Sequence, residues 1–313
     1  MNKKSPIYVA GHRGMAGSAI KMELANRGYT NLLTKTHQEL DLRNSEDVEY
    51  FFKKNKPKGV FLAAAHSGGI LEAVKNPAWM LLDNLEIISN VIRSSFIINV
   101  EKLIFLASSC CYPTNGTQPY KEESLGTGRT DENWSYAVAK LAGLELCRSF
   151  HRQYDCNYVT AVPCNLYGWN DSFDKKKSHV IPSLIKKIHN SNEIEIWGDG
   201  TPKREFLFSL DFASAIVDVF EKCDYKDIDG VINIGTGLET SILDLVQVIA
   251  SIIKPKDELK VAFNTKMPNG VPSKLMDNSK IRGLGWSPRF TLNQGIAATY
   301  EWFRLSDKIS SHS

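Results

Sequence analysis

Tyr136 and Lys140 stand four positions apart in Tyr-Ala-Val-Ala-Lys, so a helix would put a phenol and an ammonium on one face. That pairing suits proton transfer at a carbinol or carbonyl, because a nearby cation is expected to lower the tyrosine pKa toward neutrality. Ser108, in Ser-Ser-Cys-Cys (108–111), offers a hydroxyl to the same oxygen. A second constellation is Gly11-His-Arg-Gly14-Met15-Ala-Gly17, three glycines spaced so that the backbone can turn tightly and approach a pyrophosphate at a helix N-terminus. Tyr-x-x-x-Lys alone is common by chance. Its weight here comes from its place after a glycine turn, an alanine-rich third strand and a serine-tipped fourth strand.

The elements that must hold these groups follow from periodicity. Apolar runs at 7–10, 31–33, 59–65, 103–108 and 158–163 predict strands, and amphipathic stretches at 15–27, 45–55, 76–99 and 136–154 predict the helices between them. Near-continuous runs such as Val-Phe-Leu-Ala-Ala-Ala imply a buried parallel sheet, and right-handed crossovers then give a Rossmann-type, doubly wound α/β domain over residues 1–166. Beyond it the rhythm changes. Residues 170–178 read as a polar, lysine-rich loop that orders on binding. Helices at 181–189, 209–223 and 242–253 and strands at 194–197 and 231–235 suggest a smaller α/β substrate lobe over 167–313, with segments near 205–253 returning to the main sheet. The last residues, 306–313, read as a frayed tail.

Composition excludes several classes. The chain has 313 residues, 42% hydrophobic and 23% charged, with a net charge of +3 that is too small and too evenly spread for a nucleic-acid surface. No apolar stretch approaches the ~20 residues a membrane-spanning helix needs. The opening Met-Asn-Lys-Lys-Ser-Pro-Ile-Tyr-Val-Ala-Gly resembles a signal peptide only in its charge; its short apolar run reads as a first strand. The six cysteines show neither C-x-x-C nor zinc spacing, which points to a reduced, cytoplasmic protein and to no metal.

The end of the second strand distinguishes the dinucleotides, since a ribose 2′-hydroxyl calls for an acid and a 2′-phosphate for cations. Here Thr34-Lys35-Thr36-His37 follows, Arg13 sits in the glycine turn, and no acid occurs before Glu39. NADPH is therefore expected in preference to NADH.

With these motifs in order, the chain resembles the extended short-chain dehydrogenase/reductases, and within them the GDP-L-fucose synthase branch. Gly-His-Arg-Gly-Met-Ala-Gly-Ser-Ala-Ile (11–20), Ala-Ala-Ala-His-Ser-Gly-Gly-Ile (63–70) and Ser-Ser-Cys-Cys-Tyr-Pro (108–113) carry the likeness. So do Pro-Cys-Asn-Leu-Tyr-Gly (163–168), Ser-His-Val-Ile-Pro (178–182), Trp-Gly-Asp-Gly-Thr-Pro-Lys-Arg-Glu-Phe-Leu (197–207) and Asn-Ile-Gly-Thr-Gly (233–237). The resemblance implies a GDP-linked 4-keto sugar, epimerised at C3 and C5 and then reduced at C4 with NADPH. It implies Tyr136, Lys140 and Ser108 as the reductive centre, with Cys110 and His179 as the base and acid of the epimerisation. It assigns the cofactor to Gly11, Arg13, Gly14, Met15, Gly17, Lys35, His37, Asp41, Leu42, Ala63, Ala65, Lys140, Pro163, Leu166 and His179. For the substrate it implies Ser109, Asn165, Lys187, Trp197, Arg204 and Asp277, with Asn84 supporting the site from behind. Relatives pair through two long helices, so a homodimer through 76–99 and 136–154 is expected.

Some positions depart from the branch. His66-Ser67 stands where Lys-Val is usual, His37 and Lys187 where arginine is usual, and Ser135 where proline is usual. The His66-Ser67 change leaves open a related sugar such as a heptose. Three other readings remain: a C4-reductase acting on an already epimerised ketone, an NAD-dependent 4-epimerase, and an idle dinucleotide-binding sensor. A 4,6-dehydratase would carry an acidic pair where Cys110-Cys111 stands.

Overall fold

The computed structural model describes residues 1–68, 75–130, 134–174, 178–256, 258–267 and 269–310. Gly69 and Ile70 of the third-strand motif, and the lysines at 175–177, lie outside the described residues.

The first half runs β1 (Ile7–Ala10), α1 (Met15–Asn26), β2 (Leu32–Leu33), α2 (Ser45–Asn55), β3 (Gly59–Leu62), α3 (Pro77–Ile97), β4 (Lys102–Leu106), α4 (Trp134–Tyr154) and β5 (Tyr158–Pro163). The second half contributes β6 (Asn165–Tyr167), α5 (Val180–Asn190), β7 (Glu193–Trp197), β8 (Lys203–Phe208), α6 (Ser209–Lys222), α7 (Tyr225–Ile228) and β9 (Val231–Ile234). It continues through β10 (Glu239–Ser241), α8 (Ile242–Ile253), β11 (Lys260–Asn264), α9 (Ser279–Gly283) and α10 (Leu292–Ser310).

A six-stranded parallel sheet of order β2-β1-β3-β4-β5-β9 forms the larger unit. Strands β1, β3, β4, β5 and β9 are buried on both faces, which explains their apolar character, while the edge strand β2 is half-buried. Helix α1 packs against α6, while α3 packs against α2 and α4. The chain leaves β1 toward β2 and later returns to the other side of β1 as β3, so a crevice opens at the carboxyl ends of β1 and β3. A second hydrophobic core gathers Tyr167, Ile181, Ile185, Ile196, Phe206, Leu245 and Ile296 around the smaller sheets β10-β8-β6 and β11-β7.

Three expectations need correction. Strands β3 and β4 stop at Leu62 and Leu106, short of Ala65 and Ser108, because the chain bends off the sheet edge there and Ser109–Cys111 forms a 3-10 turn. The 306–313 tail is not frayed throughout, since α10 continues to Ser310 and anchors its earlier turns through Ile296 and Phe303. Strands β6, β8, β10 and β11 escaped the reading of periodicity; β6 and β10 have three residues each, too few to show a pattern.

Close packing places the helix that carries Tyr136 and Lys140. At Gly143 of α4, a Cβ would come within 2.4 Å of the Phe105 ring on β4 and 3.0 Å of Ile88 on α3. Only a bare backbone lets α4 lie this near β4, which ends at Leu106, two residues before Ser108.

Candidate active site

The glycine turn is built as its spacing implies. Gly11 has a φ of +80°, and a Cβ there would meet the Ala63–Ala64 backbone at 2.8–2.9 Å. A Cβ on Gly17 would lie 2.2 Å from the Gly11 carbonyl oxygen. Gly14 caps α1 with no side-chain hydrogen bond, and the first turn holds no acid, so that helix end presents N–H groups to an anion. Met15 opens α1 and Arg13 is exposed beside it. These features fit a dinucleotide pyrophosphate.

The region expected to meet the 2′-phosphate is more mixed than the sequence suggested. Glu39 folds back onto Lys35 at 3.3 Å and accepts the Thr36 N–H at 2.8 Å. The Thr36 N–H and hydroxyl, with Lys35, hold the Glu39 carboxyl down at about 2. His37 is open to solvent, 3.8 Å from Asp41, whose carboxylate is gripped by Arg43 at 2.7 Å. Leu42 is buried and its carbonyl accepts the Asn90 amide at 3.0 Å. Ala63 and Ala65 follow β3, Pro163 ends β5, and Leu166 lies in β6.

Ser108, Cys110, Tyr136 and Lys140 converge between β4 and α4. The Lys140 ammonium lies 5.4 Å from the centre of the Tyr136 ring and donates to the Leu106 carbonyl at 2.7 Å. The Cys110 N–H donates to the Ser108 hydroxyl oxygen at 3.3 Å, which leaves the Ser108 proton able to face another acceptor. Ser109 and Cys110 are buried. Cys111, also buried, is held in its thiol form well above the ordinary value, first by its hydrogen bond with Cys110 and then by burial.

The expected lowering of the Tyr136 pKa does not occur in the protein alone. Burial pushes the phenol above its ordinary value, with the Cys110 and Cys111 thiols adding to the effect. Burial also pulls Lys140 down to about 8, so it remains mostly charged at neutral pH but gives up its proton more readily than an ordinary lysine. A protonated phenol is the form that gives a proton to a carbonyl oxygen as it becomes an alcohol, so the shift suits reduction.

His179 occupies the N-cap of α5, on the second core. Its surface reaches solvent, yet enough protein surrounds it for desolvation to lower its pKa. Lys187, later on α5, donates to the Glu195 carbonyl at 2.9 Å, and Trp197 closes β7 with 42% of its surface exposed. Arg204 reaches the Val271 carbonyl at 2.6 Å, and the Asn165 amide donates to the Glu205 carbonyl at 2.9 Å. The Asp277 carboxylate accepts the Ser279 N–H at 2.8 Å, just ahead of α9.

Asn84 is fully buried and brackets the His66 backbone. It accepts the His66 N–H at 3.0 Å and donates to the His66 carbonyl at 2.9 Å. Its neighbour Asp83 holds the His66 ring at 2.9 Å, a contact the sequence reading missed. Only two adjacent polar residues inside an amphipathic helix could have signalled it.

Residues 7–235 match the NAD dependent epimerase/dehydratase family. The chain is 42% identical over 308 residues to GDP-L-fucose synthase 1 of Arabidopsis thaliana, covering 96% of this chain and 94% of that one. Among solved structures it resembles a GDP-6-OMe-4-keto-L-xylo-heptose reductase from C. jejuni, with a TM-score of 0.92, 37% identity, and 98% and 99% of the two chains covered. MlghC, a GDP-mannoheptose C4 reductase from Campylobacter jejuni with NADP bound, aligns with a TM-score of 0.87 and 38% identity over 97% of this chain and 99% of that one.

The Lys140 shift gives a stability test. Between about 8 and the ordinary 10.5, the unfolded lysine keeps a proton that the folded one has released, so this residue makes stability rise with pH across that window. Denaturant midpoints of wild type minus those of Lys140→Met, measured under reducing conditions, should climb from pH 8 to 10.5. A flat difference would show that Lys140 titrates normally.

Proposed function

We infer the function from the premise that the chain belongs to the NAD dependent epimerase/dehydratase family. It is an NADPH-dependent enzyme that reduces a GDP-linked 4-keto sugar at C4, with epimerisation at C3 and C5 in the same site. The observation that carries the reading is the convergence of Tyr136, Lys140, Ser108 and Cys110 beside a glycine turn shaped for a dinucleotide. Near-full-length similarity to a GDP-L-fucose synthase and to two GDP-heptose reductases supports it.

NADPH supplies the hydride when bound. Tyr136, kept protonated by burial, donates its phenolic proton to the C4 oxygen, while the Ser108 hydroxyl hydrogen-bonds that oxygen and steadies the charge developing on it. Lys140 stands beside the phenol with a proton near its release point, able to restore the one Tyr136 gives up. The 4-keto group acidifies C3–H and C5–H. In our reading Cys110 removes such a proton as a thiolate and His179 returns one to the opposite face. Arg204, Lys187, Asn165, Trp197, Ser109 and Asp277 bind the GDP-sugar, Arg204 as a planar fork suited to a diphosphate. Arg13 and Lys35 meet the 2′-phosphate, with His37, Asp41 and Leu42 around the adenosine.

Residues 1–166 carry the cofactor and 167–313 most of the GDP-sugar site, with α6 and β9, within 205–253, returning to the main sheet unit. A homodimer is favoured by apolar side chains that α3 and the packed α4 leave exposed: Trp79, Leu82, Ile97, Trp134 and Tyr154. No helix among the described residues is long and apolar enough to cross a membrane, and all six cysteines are free thiols, which is consistent with a cytoplasmic setting.

Incubation with NADPH and a panel of GDP-4-keto sugars, hexose and heptose, followed by NMR in deuterated water tests the chemistry. A C4 alcohol should form, with solvent deuterium at C3 and C5. Cys110→Ser should lose that deuterium, and Tyr136→Phe should lower kcat by ~10²–10⁴-fold. Wild-type deuterium no greater than the ketone's own exchange would remove the epimerase half. Light scattering should give twice the 35.1 kDa chain mass, falling to one chain in Trp79→Glu/Trp134→Glu; a monomeric wild type would contradict the dimer.

A further inference from the structure

Glu205 is completely buried, yet it lies in β8 between Arg204 and the apolar run Phe206–Phe208. Its carboxylate joins segments that are distant in sequence. One oxygen accepts the Gly237 N–H at 2.7 Å and the Asn278 amide at 3.0 Å, and the other accepts the Met276 N–H at 3.2 Å. Its backbone carbonyl accepts the Asn165 amide at 2.9 Å. A Cβ on Gly235 would sit 2.2 Å from the carboxylate, so the loop after β9 can close over Glu205 only with glycine there.

These segments form one lip at the carboxyl ends of β5 and β9, where open parallel sheets bind ligands. The 271–278 strap is further tied by Glu239, which accepts the Ser273 hydroxyl at 2.6 Å and the Lys274 N–H at 3.0 Å. Gln118 adds its own bond by accepting the Leu275 N–H at 2.8 Å. The Arg204 guanidinium meets this strap at the Val271 carbonyl. Asn165, Arg204 and Asp277 thus occupy three segments that Glu205 holds in one register.

We propose that Glu205 is the positioning residue for the nucleoside-diphosphate end of the substrate. Through its carboxylate and carbonyl it fixes the lip that presents Arg204, Asn165 and Asp277, without touching the ligand itself. This deepens the reading above and rests on it. The carboxylate suits the task because it only accepts, and each facing group is an N–H; a glutamine would turn an NH2 toward at least one of them.

Calorimetric binding of GDP and of NADPH, with steady-state kinetics on the GDP-4-keto sugar, tests the assignment in the full chain. In Glu205→Gln, the GDP Kd and the sugar KM should both rise by ~10-fold or more, while kcat stays within ~3-fold and the NADPH Kd within ~2-fold. Asn278→Ala removes one donor and perturbs folding less. It should move GDP affinity and sugar KM the same way by ~3-fold, and it decides the matter alone if Glu205→Gln does not fold. GDP affinity unchanged in a folded variant, or a loss shared equally by NADPH and kcat, overturns the positioning role. A wild type that fails to bind GDP overturns the functional reading together with this inference. A wild type that binds GDP while a folded variant binds it equally well overturns only the inference.

Discussion

The Lys140 ammonium, buried between α4 and β4, donates to the Leu106 carbonyl at 2.7 Å, and the geometry of the reactive groups hangs on that bond. Leu106 is the last residue of β4, so its carbonyl has left the ladder and takes a side-chain donor instead. One turn earlier on α4, Tyr136 is carried to the same strand end, where Ser108 and Cys110 emerge. Charging a lysine here carries a desolvation penalty that pulls its pKa to about 8. The fold therefore sets a lysine that gives up its proton more readily than usual beside a phenol that burial keeps protonated, the pair on which the proposed reduction relies.

That arrangement depends on close backbone approaches at both ends of the crevice. Gly143 lets α4 rest on Phe105, and Gly11 and Gly17 let the turn after β1 close against Ala63–Ala64 and the start of α1. Across the crevice, β6, β8 and the segment after β9 are drawn together by Glu205, so the second core meets the main sheet through a buried carboxylate. The proposed reductive centre is thus mounted on the parallel sheet, whereas Arg204, Lys187 and His179 arrive from elements of the smaller core.

Much of this was legible in the sequence, for identifiable reasons. The parallel strands are buried on both faces and so read as unbroken apolar runs, and the glycine spacing marked the turn because only glycine tolerates those contacts. Tyr136 and Lys140 were readable through helical period together with their place after the glycine turn and the fourth strand. Hidden were properties that arise only from burial or from partners distant in sequence. In the protein without cofactor, burial of the Tyr136 phenol raises its pKa, an effect of desolvation that no motif displays. Glu39 turned back onto Lys35 through a local loop geometry that composition does not encode. Glu205, within Lys-Arg-Glu-Phe, gives no sign of its role in sequence, since its partners are 32, 71 and 73 positions away.

The central claim is that Tyr136 and Lys140 serve a net reduction at C4 of a GDP-linked ketone and not a reversible oxidation that returns its hydride. NADPH deuterated at both C4 positions of the nicotinamide ring, turned over with the preferred GDP-4-keto sugar, tests this directly by NMR. One deuterium at C4 of the sugar and one NADPH consumed per product are expected. A product without deuterium at C4, or turnover with no net loss of NADPH, would contradict it.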